Sequence, residues 1–368
     1  MAASGSVAVL LLGSVVGLNA APAHAGQPLC LGRTATIVIT TPGVTTEGTS
    51  GADVIVGTSG SDTIHGLGGN DRVCSLGGND FVSGGPGNDR LDGGTENDIL
   101  TGDVRNVSGN ASGGGNDELS GGEGADILVG DSFGTPGHGS GGGNDRLDGG
   151  AGADSLIGDS AGSTASGGGR DTLIGGDADD DMVGDSRALE GDAEGAGDDT
   201  LLGGAGANDF LIGDSDATAN ANGNGGDDLV NGGADGGLLI GDHNIRAATG
   251  GYATGSGRDH LIGGSGTDIM VGESSVVDAN LGSASGDRIE GNGGDDRIFG
   301  DNTNYEISAT VGTAGGPDDL RAGDGADTLR AGPGEDDLDG GAGGPDTCDG
   351  EGGDDTATQA CETTPNVP

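Results

Sequence analysis

From Gly48 to Thr101 the chain runs as six consecutive nine-residue units, each with Asp at the sixth place and an apolar residue at the eighth. The clearest copy is Gly84-Gly85-Pro86-Gly87-Asn88-Asp89-Arg90-Leu91-Asp92. Its glycine-rich half tolerates positive φ and close backbone approach, which predicts a turn. Its last three residues predict a very short strand with one side chain pointing inward, because successive residues face opposite sides. Two units then close one turn of a flattened solenoid. This pairing predicts that Ile55, Val73 and Leu91 stack on one sheet, and Ile64, Val82 and Leu100 on the other.

Over residues 102–312 the rhythm changes, and two units alternate with an excursion rich in Ser, Ala, Thr, Asn and Gly. The excursions open at Gly130-Asp131, Gly158-Asp159, Gly184-Asp185, Gly213-Asp214, Gly241-Asp242 and Gly300-Asp301, with Gly272-Glu273 as an acidic variant. Recurring after every second unit, they should all leave from one edge of the solenoid. They read as small, polar, dissimilar loops that suit spacers better than a shared binding motif. The nine-residue rhythm returns at 313–358, before a tail at 359–368. Residues 26–47, with Thr34-Ala35-Thr36-Ile37-Val38-Ile39-Thr40, read as a strand capping the first coil.

Composition sharpens this picture. Gly accounts for 89 of 368 residues, aromatic residues for 2%, and there is no Trp, so an ordinary globular core is hard to build. A formal charge of −48 repels nucleic acid and anionic lipid. The acids recur at one place in glycine-rich turns, which favours metal ligation over a merely solvated acidic surface. The apolar run Val7–Leu18, followed by Ala23-His24-Ala25, reads as a signal peptide over residues 1–25. It is too short and too glycine-interrupted for a membrane span, so no membrane insertion is expected and the chain should be secreted. Four Cys in an exported chain favour disulfides over zinc, for which the spacing is wrong. Local pairing, Cys30 with Cys74 and Cys348 with Cys361, is the simplest of the possible connectivities.

One buried Leu or Ile contributes about 1.5–3 kcal/mol, well short of the ordering entropy of nine residues. Bringing Asp side chains together between coils adds repulsion. Calcium removes the difficulty, because it takes six to eight oxygen ligands with tolerant geometry, whereas magnesium demands a strict octahedron. Asp53 and Asp71, then Asp71 and Asp89, should share sites with nearby carbonyls, as should Asp62, Asp80 and Asp98 on the opposite edge. The excursion-opening residues Asp103, Asp131, Asp159, Asp185, Asp214, Asp242, Glu273 and Asp301 read either as further ligands or as turn formers bonded to their own backbone.

On these motifs, residues 48 to 358 closely resemble the secreted RTX, or haemolysin-type, calcium-binding repeat proteins. The resemblance implies an all-β, right-handed parallel β-roll with several calcium ions held between successive loops. It implies ligands at the sixth-position residues, continued by Asp117, Asp126, Asp145, Asp154, Asp171, Asp180, Asp199, Asp228, Asp259, Asp268, Asp287, Asp296, Asp318, Asp327 and Asp336. Asp209 and Asp346 stand in units one residue too long; Asp209 is retained as a ligand. Gly237 replaces an expected Asp, and Cys348 and Ala357 fill apolar slots as a closing cap.

Many such repeats are attached to enzymes, yet no room for a catalytic domain precedes the first repeat here. Gly130-Asp131-Ser132-Phe133-Gly134 and Gly158-Asp159-Ser160-Ala161-Gly162 match the G-x-S-x-G pattern, but they belong to the larger repeat and lack a following helix. No His spacing fits a zinc protease. The reading is a non-enzymatic, secreted calcium-binding protein with a structural or surface role. The alternative is an adhesive module whose excursions contact an extracellular protein or glycan, with a hydrolase a distant third.

Overall fold

The computed structural model describes residues 26–246, 251–276, 285–304 and 306–367. The signal peptide expected at 1–25 lies outside the described residues. Among the described residues there is no helix, and hence none long and apolar enough to cross a membrane. The units form two parallel sheets, one of 14 strands and one of 15, that face each other across the core.

The expected stacking holds residue for residue. Ile55 pairs with Val73 and Val73 with Leu91 on the first sheet, while Ile64, Val82 and Leu100 pair in turn on the second. The columns continue as Leu119, Leu147, Leu173, Leu201, Val230, Leu261, Ile289 and Leu320 on one side. A single apolar cluster results, one layer deep, built almost wholly from eighth-position side chains.

The excursions do leave from one edge, but they are more than loops. The excursions opening at Asp103, Asp185, Asp214 and Asp242 each contribute an outgoing and a returning strand to a third, 12-stranded sheet, and those at Asp131 and Asp159 run through it as one continuous strand apiece, Phe133–Ser140 and Ala161–Ser166. Arg105, Phe133, Ala161, Arg187, Asp216, Asn244, Ser275 and Thr303 stack along the outgoing series. Ala111, Gly139, Ala165, Ala193, Ala221 and Ala253 stack along the returning one. Between them lies a narrow core of small side chains: Ala188, Ala193, Ala217, Ala221, Ile245 and Ala253. The ninth residues of the preceding units form a separate cluster. Val183, Ile212, Ile240, Val271 and Phe299 point out of the main core and are buried beneath the excursions.

Both ends are pinned. The hairpin of Leu29–Cys30 and Arg33–Thr34 is joined to the Arg72–Cys74 strand by the Cys30–Cys74 disulfide. Within the expected cap strand, Ile37–Val38 pairs with the first repeat and so begins the first sheet. At the other end Cys361–Thr363 closes the second sheet, with Cys361 bonded to Cys348.

Candidate metal centres

A parallel solenoid brings equivalent residues of successive coils into register, so the sixth-position Asp residues form two columns. On the first, the N–H of Asp53 donates to Asp71 Oδ1, that of Asp71 to Asp89, and that of Asp89 to Asp117, at 2.6–2.8 Å. The same bond recurs through Asp145, Asp171, Asp199, Asp228, Asp259, Asp287, Asp318 and Asp336. The second column runs through Asp62, Asp80, Asp98, Asp126, Asp154, Asp180 and Asp209, and resumes with Asp268, Asp296 and Asp327. Every one of these residues is buried.

The columns extend beyond the residues read from sequence. Asp346 and Asp355 accept the N–H groups of Asp327 and Asp336 at 2.9 and 3.2 Å. Glu362 then accepts from Asp346 at 2.7 Å, standing where a further Asp would be. Asp355 occupies the sixth place of a unit whose rhythm is already decaying. The extra residue near Asp209 is absorbed in the turn, so its carboxylate stays in line. Gly237 stacks on Asp209 and breaks the second column, since it offers no carboxylate.

One oxygen of each carboxylate is thus used, and the other is left over. Oδ2 of Asp71, Asp80, Asp89, Asp98, Asp117 and Asp126 is buried with no hydrogen-bond partner, and so are most of its counterparts further along both columns; in Asp62 the spare oxygen is Oδ1, because the Thr58 N–H donates to Oδ2. Asp53 is an exception, because Thr49 and Thr36 donate to its carboxylate. Asp268 is another, since Gly264 donates to its Oδ2 at 2.9 Å. Native folds rarely tolerate orphaned buried polar atoms, so a repeated row of them marks places for a ligand. The first-position glycines show how tight these places are. A Cβ on Gly66 would collide with both Asp71 Oδ2 and the Gly84 carbonyl oxygen, and one on Gly84 with Asp89 Oδ2 and the Gly102 carbonyl.

The excursion edge carries a third acidic column. Asp103, Asp131, Asp159, Asp185, Asp214 and Asp242 are fully buried and joined by N–H to carbonyl bonds of 2.9–3.1 Å from Asp103 through Asp242. Asp131 and Asp159 also accept the N–H groups of Gly115 and Gly143. These groups change the electrostatics of the first column. On the second column burial raises Asp80 to about 6 and Asp98 and Asp180 to about 7, against the hydrogen bonds they accept. On the first, burial together with the neighbouring carboxylates raises Asp117 and Asp145 to about 8 and Asp171 to about 11. Burial also holds Asp199, Asp228, Asp259 and Asp287 well above the ordinary carboxylate range, again with nearby acids adding to the shift. A bound cation reverses that logic by favouring the ionised form.

The donor set is oxygen only, from carboxylates and glycine-turn carbonyls, which suits a hard cation such as calcium. By contrast, Ser132 and Ser160 of the G-x-S-x-G segments are fully buried and lead into strands, Phe133–Ser140 and Ala161–Ser166, instead of helices.

A family model described as the RTX calcium-binding nonapeptide repeat matches residues 47–82, 83–104, 111–133, 140–161, 165–186, 195–217, 253–274, 281–304 and 313–345, more than half of the chain. A search of curated proteins finds no match.

Proposed function

Because the chain belongs to the family of RTX calcium-binding nonapeptide-repeat proteins, we propose that it is an exported protein that folds on meeting calcium and then serves a structural role outside the cell or at its surface. The row of buried, partnerless Oδ2 atoms carries this reading. Without a cation those carboxylates must be taken from water with nothing in exchange, which opposes closure of the coils. Bound calcium supplies the positive charge and the oxygen affinity that let them remain ionised and close together. In the unfolded chain no coil holds two Asp residues in register, so binding energy becomes folding energy.

We assign the ligands to the sixth-position Asp residues and the carbonyls of the adjoining glycine turns. Two disulfides support an oxidising destination, and calcium affinity there is expected at roughly 10⁻⁴–10⁻³ M. Far-ultraviolet circular dichroism of the metal-stripped chain under calcium titration tests the reading, with magnesium as control. Coil without metal, β-structure with calcium and little response to magnesium are expected. A full β signal from a chain shown by atomic emission to hold no metal would overturn it.

A second reading, adhesion to an extracellular protein or glycan, draws on the ordered surface that the third sheet presents. Capture by the calcium-loaded chain, lost when the excursions are deleted, would favour it.

A further inference from the structure

The nonapeptide accounts for one carboxylate per unit, yet the excursion edge holds two per coil. Three clusters stand out there: Asp103 with Asp117 and Asp131, Asp131 with Asp145 and Asp159, and Asp159 with Asp171 and Asp185. In each, one carboxylate oxygen from every residue lies within 4.8 Å of the others. In each, a sixth-position Asp sits between the excursion-opening acids of two successive coils.

All of these side chains are buried, Asp103, Asp131, Asp159 and Asp185 completely. Neither carboxylate oxygen of Asp103 or Asp185 has a hydrogen-bond partner, and Oδ2 of Asp131 and Asp159 has none either. A turn former bonded to its own backbone would not leave both oxygens idle. The backbone of this column is already occupied with its own coil-to-coil bonds, Asp103 to Asp131 and Asp131 to Asp159, both 2.9 Å. The unpartnered oxygens of these side chains are therefore available to a cation in the cluster.

We propose that these three clusters are calcium sites of a second kind, each with three carboxylates, that fill before the sites of the opposite edge, which have one carboxylate per coil. The proposal rests on the calcium reading given above. Its physical basis is charge count. One excursion acid and one sixth-position Asp per coil supply two negative charges, which match one divalent ion per coil. The opposite edge, through Asp126, Asp154 and Asp180, supplies one. Carboxylate number is a main determinant of calcium affinity when the ligands are oxygen throughout. The excursions thus add a ligand column as well as a sheet.

Calorimetric titration of the full chain with calcium tests this, alongside Asp131→Asn with Asp159→Asn, and separately Asp154→Asn on the opposite edge. The asparagine variants keep an oxygen for Gly115 and Gly143 while removing the charge. A tight and a loose phase are expected for the natural chain. The double variant should weaken the tight phase by roughly tenfold or more, and Asp154→Asn should weaken the loose phase alone. A double variant whose tight phase is unchanged would overturn the proposal while leaving the calcium reading intact; a natural chain that takes up no calcium would sink both. If the double variant does not fold, Asp103→Asn, which belongs to the first cluster alone, decides. Loss of a tightly held ion supports the proposal, and an unchanged tight count overturns it.

Discussion

The backbone N–H of Asp71 donates to Asp89 Oδ1 at 2.7 Å, which ties two residues 18 apart in sequence across adjacent coils. One carboxylate thereby locks register with one oxygen and leaves the other, Oδ2, buried and unmatched. The register bond and the proposed calcium site thus draw on the two oxygens of one side chain.

Replacing Asp89 with Ala should therefore do double damage. The Asp71 N–H is left buried without an acceptor, at a cost of about 1–3 kcal/mol, and the calcium ligand proposed for Asp89 is removed. The calcium midpoint of the dichroism transition should move upward. Asp148→Ala, a half-exposed change one residue past the inward Leu147, should alter stability by no more than about 0.5 kcal/mol. Equal midpoints for the two variants would contradict the assigned role of Asp89.

The pH response should invert with metal. Burial raises Asp89 from 3.8 to about 8 and Asp171 to about 11 when no ion is present. The metal-free fold therefore binds more protons than the unfolded chain, and its stability must fall as pH rises from about 4 through those values. Metal-stripped protein should gain β signal on acidification. Calcium-loaded protein should lose it, because protons then compete with the ion. Dichroism against pH with and without calcium checks both signs; parallel curves would contradict the argument.

Gly84→Ala should be severe, since its Cβ would meet Asp89 Oδ2 and the Gly102 carbonyl. Overpacking of this kind costs about 1–3 kcal/mol, and local calcium uptake should drop with it. Gly51→Ala is the control, because its Cβ would come no closer than 4.0 Å to the Thr49 hydroxyl. Chemical denaturation in calcium should separate the two.

Ile212→Ala probes the attachment of the excursions. Ile212 is completely buried, in a cluster with Val183, Ile240, Val271 and Phe299. Large-to-small changes at such positions cost about 2–5 kcal/mol. Limited proteolysis should then cut the neighbouring excursions faster while the main core stays protected. An unchanged cleavage pattern would mean that the ninth-position side chains do not hold the third sheet in place.

The main solenoid was legible because its signal is local. Nine residues contain the turn, the Asp and the inward side chain, so Ile55, Val73 and Leu91 could be stacked from spacing alone. The third sheet was not, because many of its strands are only two residues long and their partners lie a whole coil away. A faint signal existed. Ala111, Ala165, Ala193 and Ala253 each precede the next sixth-position Asp by six residues, and apolar residues stand just before the Gly-Asp pairs at Val129, Ile157, Val183, Ile212 and Ile240. Gly139 interrupts the alanine series, and the low hydrophobicity of Ala disguised a core as a spacer. The two roles open for the excursion acids also needed three dimensions, because Asp117 lies between Asp103 and Asp131 in space while separated from each by 14 residues of chain.

Stacked aspartates of the first column are 18 residues apart near Asp71, 26 apart between Asp145 and Asp171, and 31 apart between Asp228 and Asp259, yet their bonds remain 2.7–2.9 Å. The rise of the molecule is thus insulated from its contour length. Small insertions and deletions inside an excursion alter its girth on one flank and nothing along its axis. A lineage can remodel that flank freely, while the acid-lined spine keeps the same pitch.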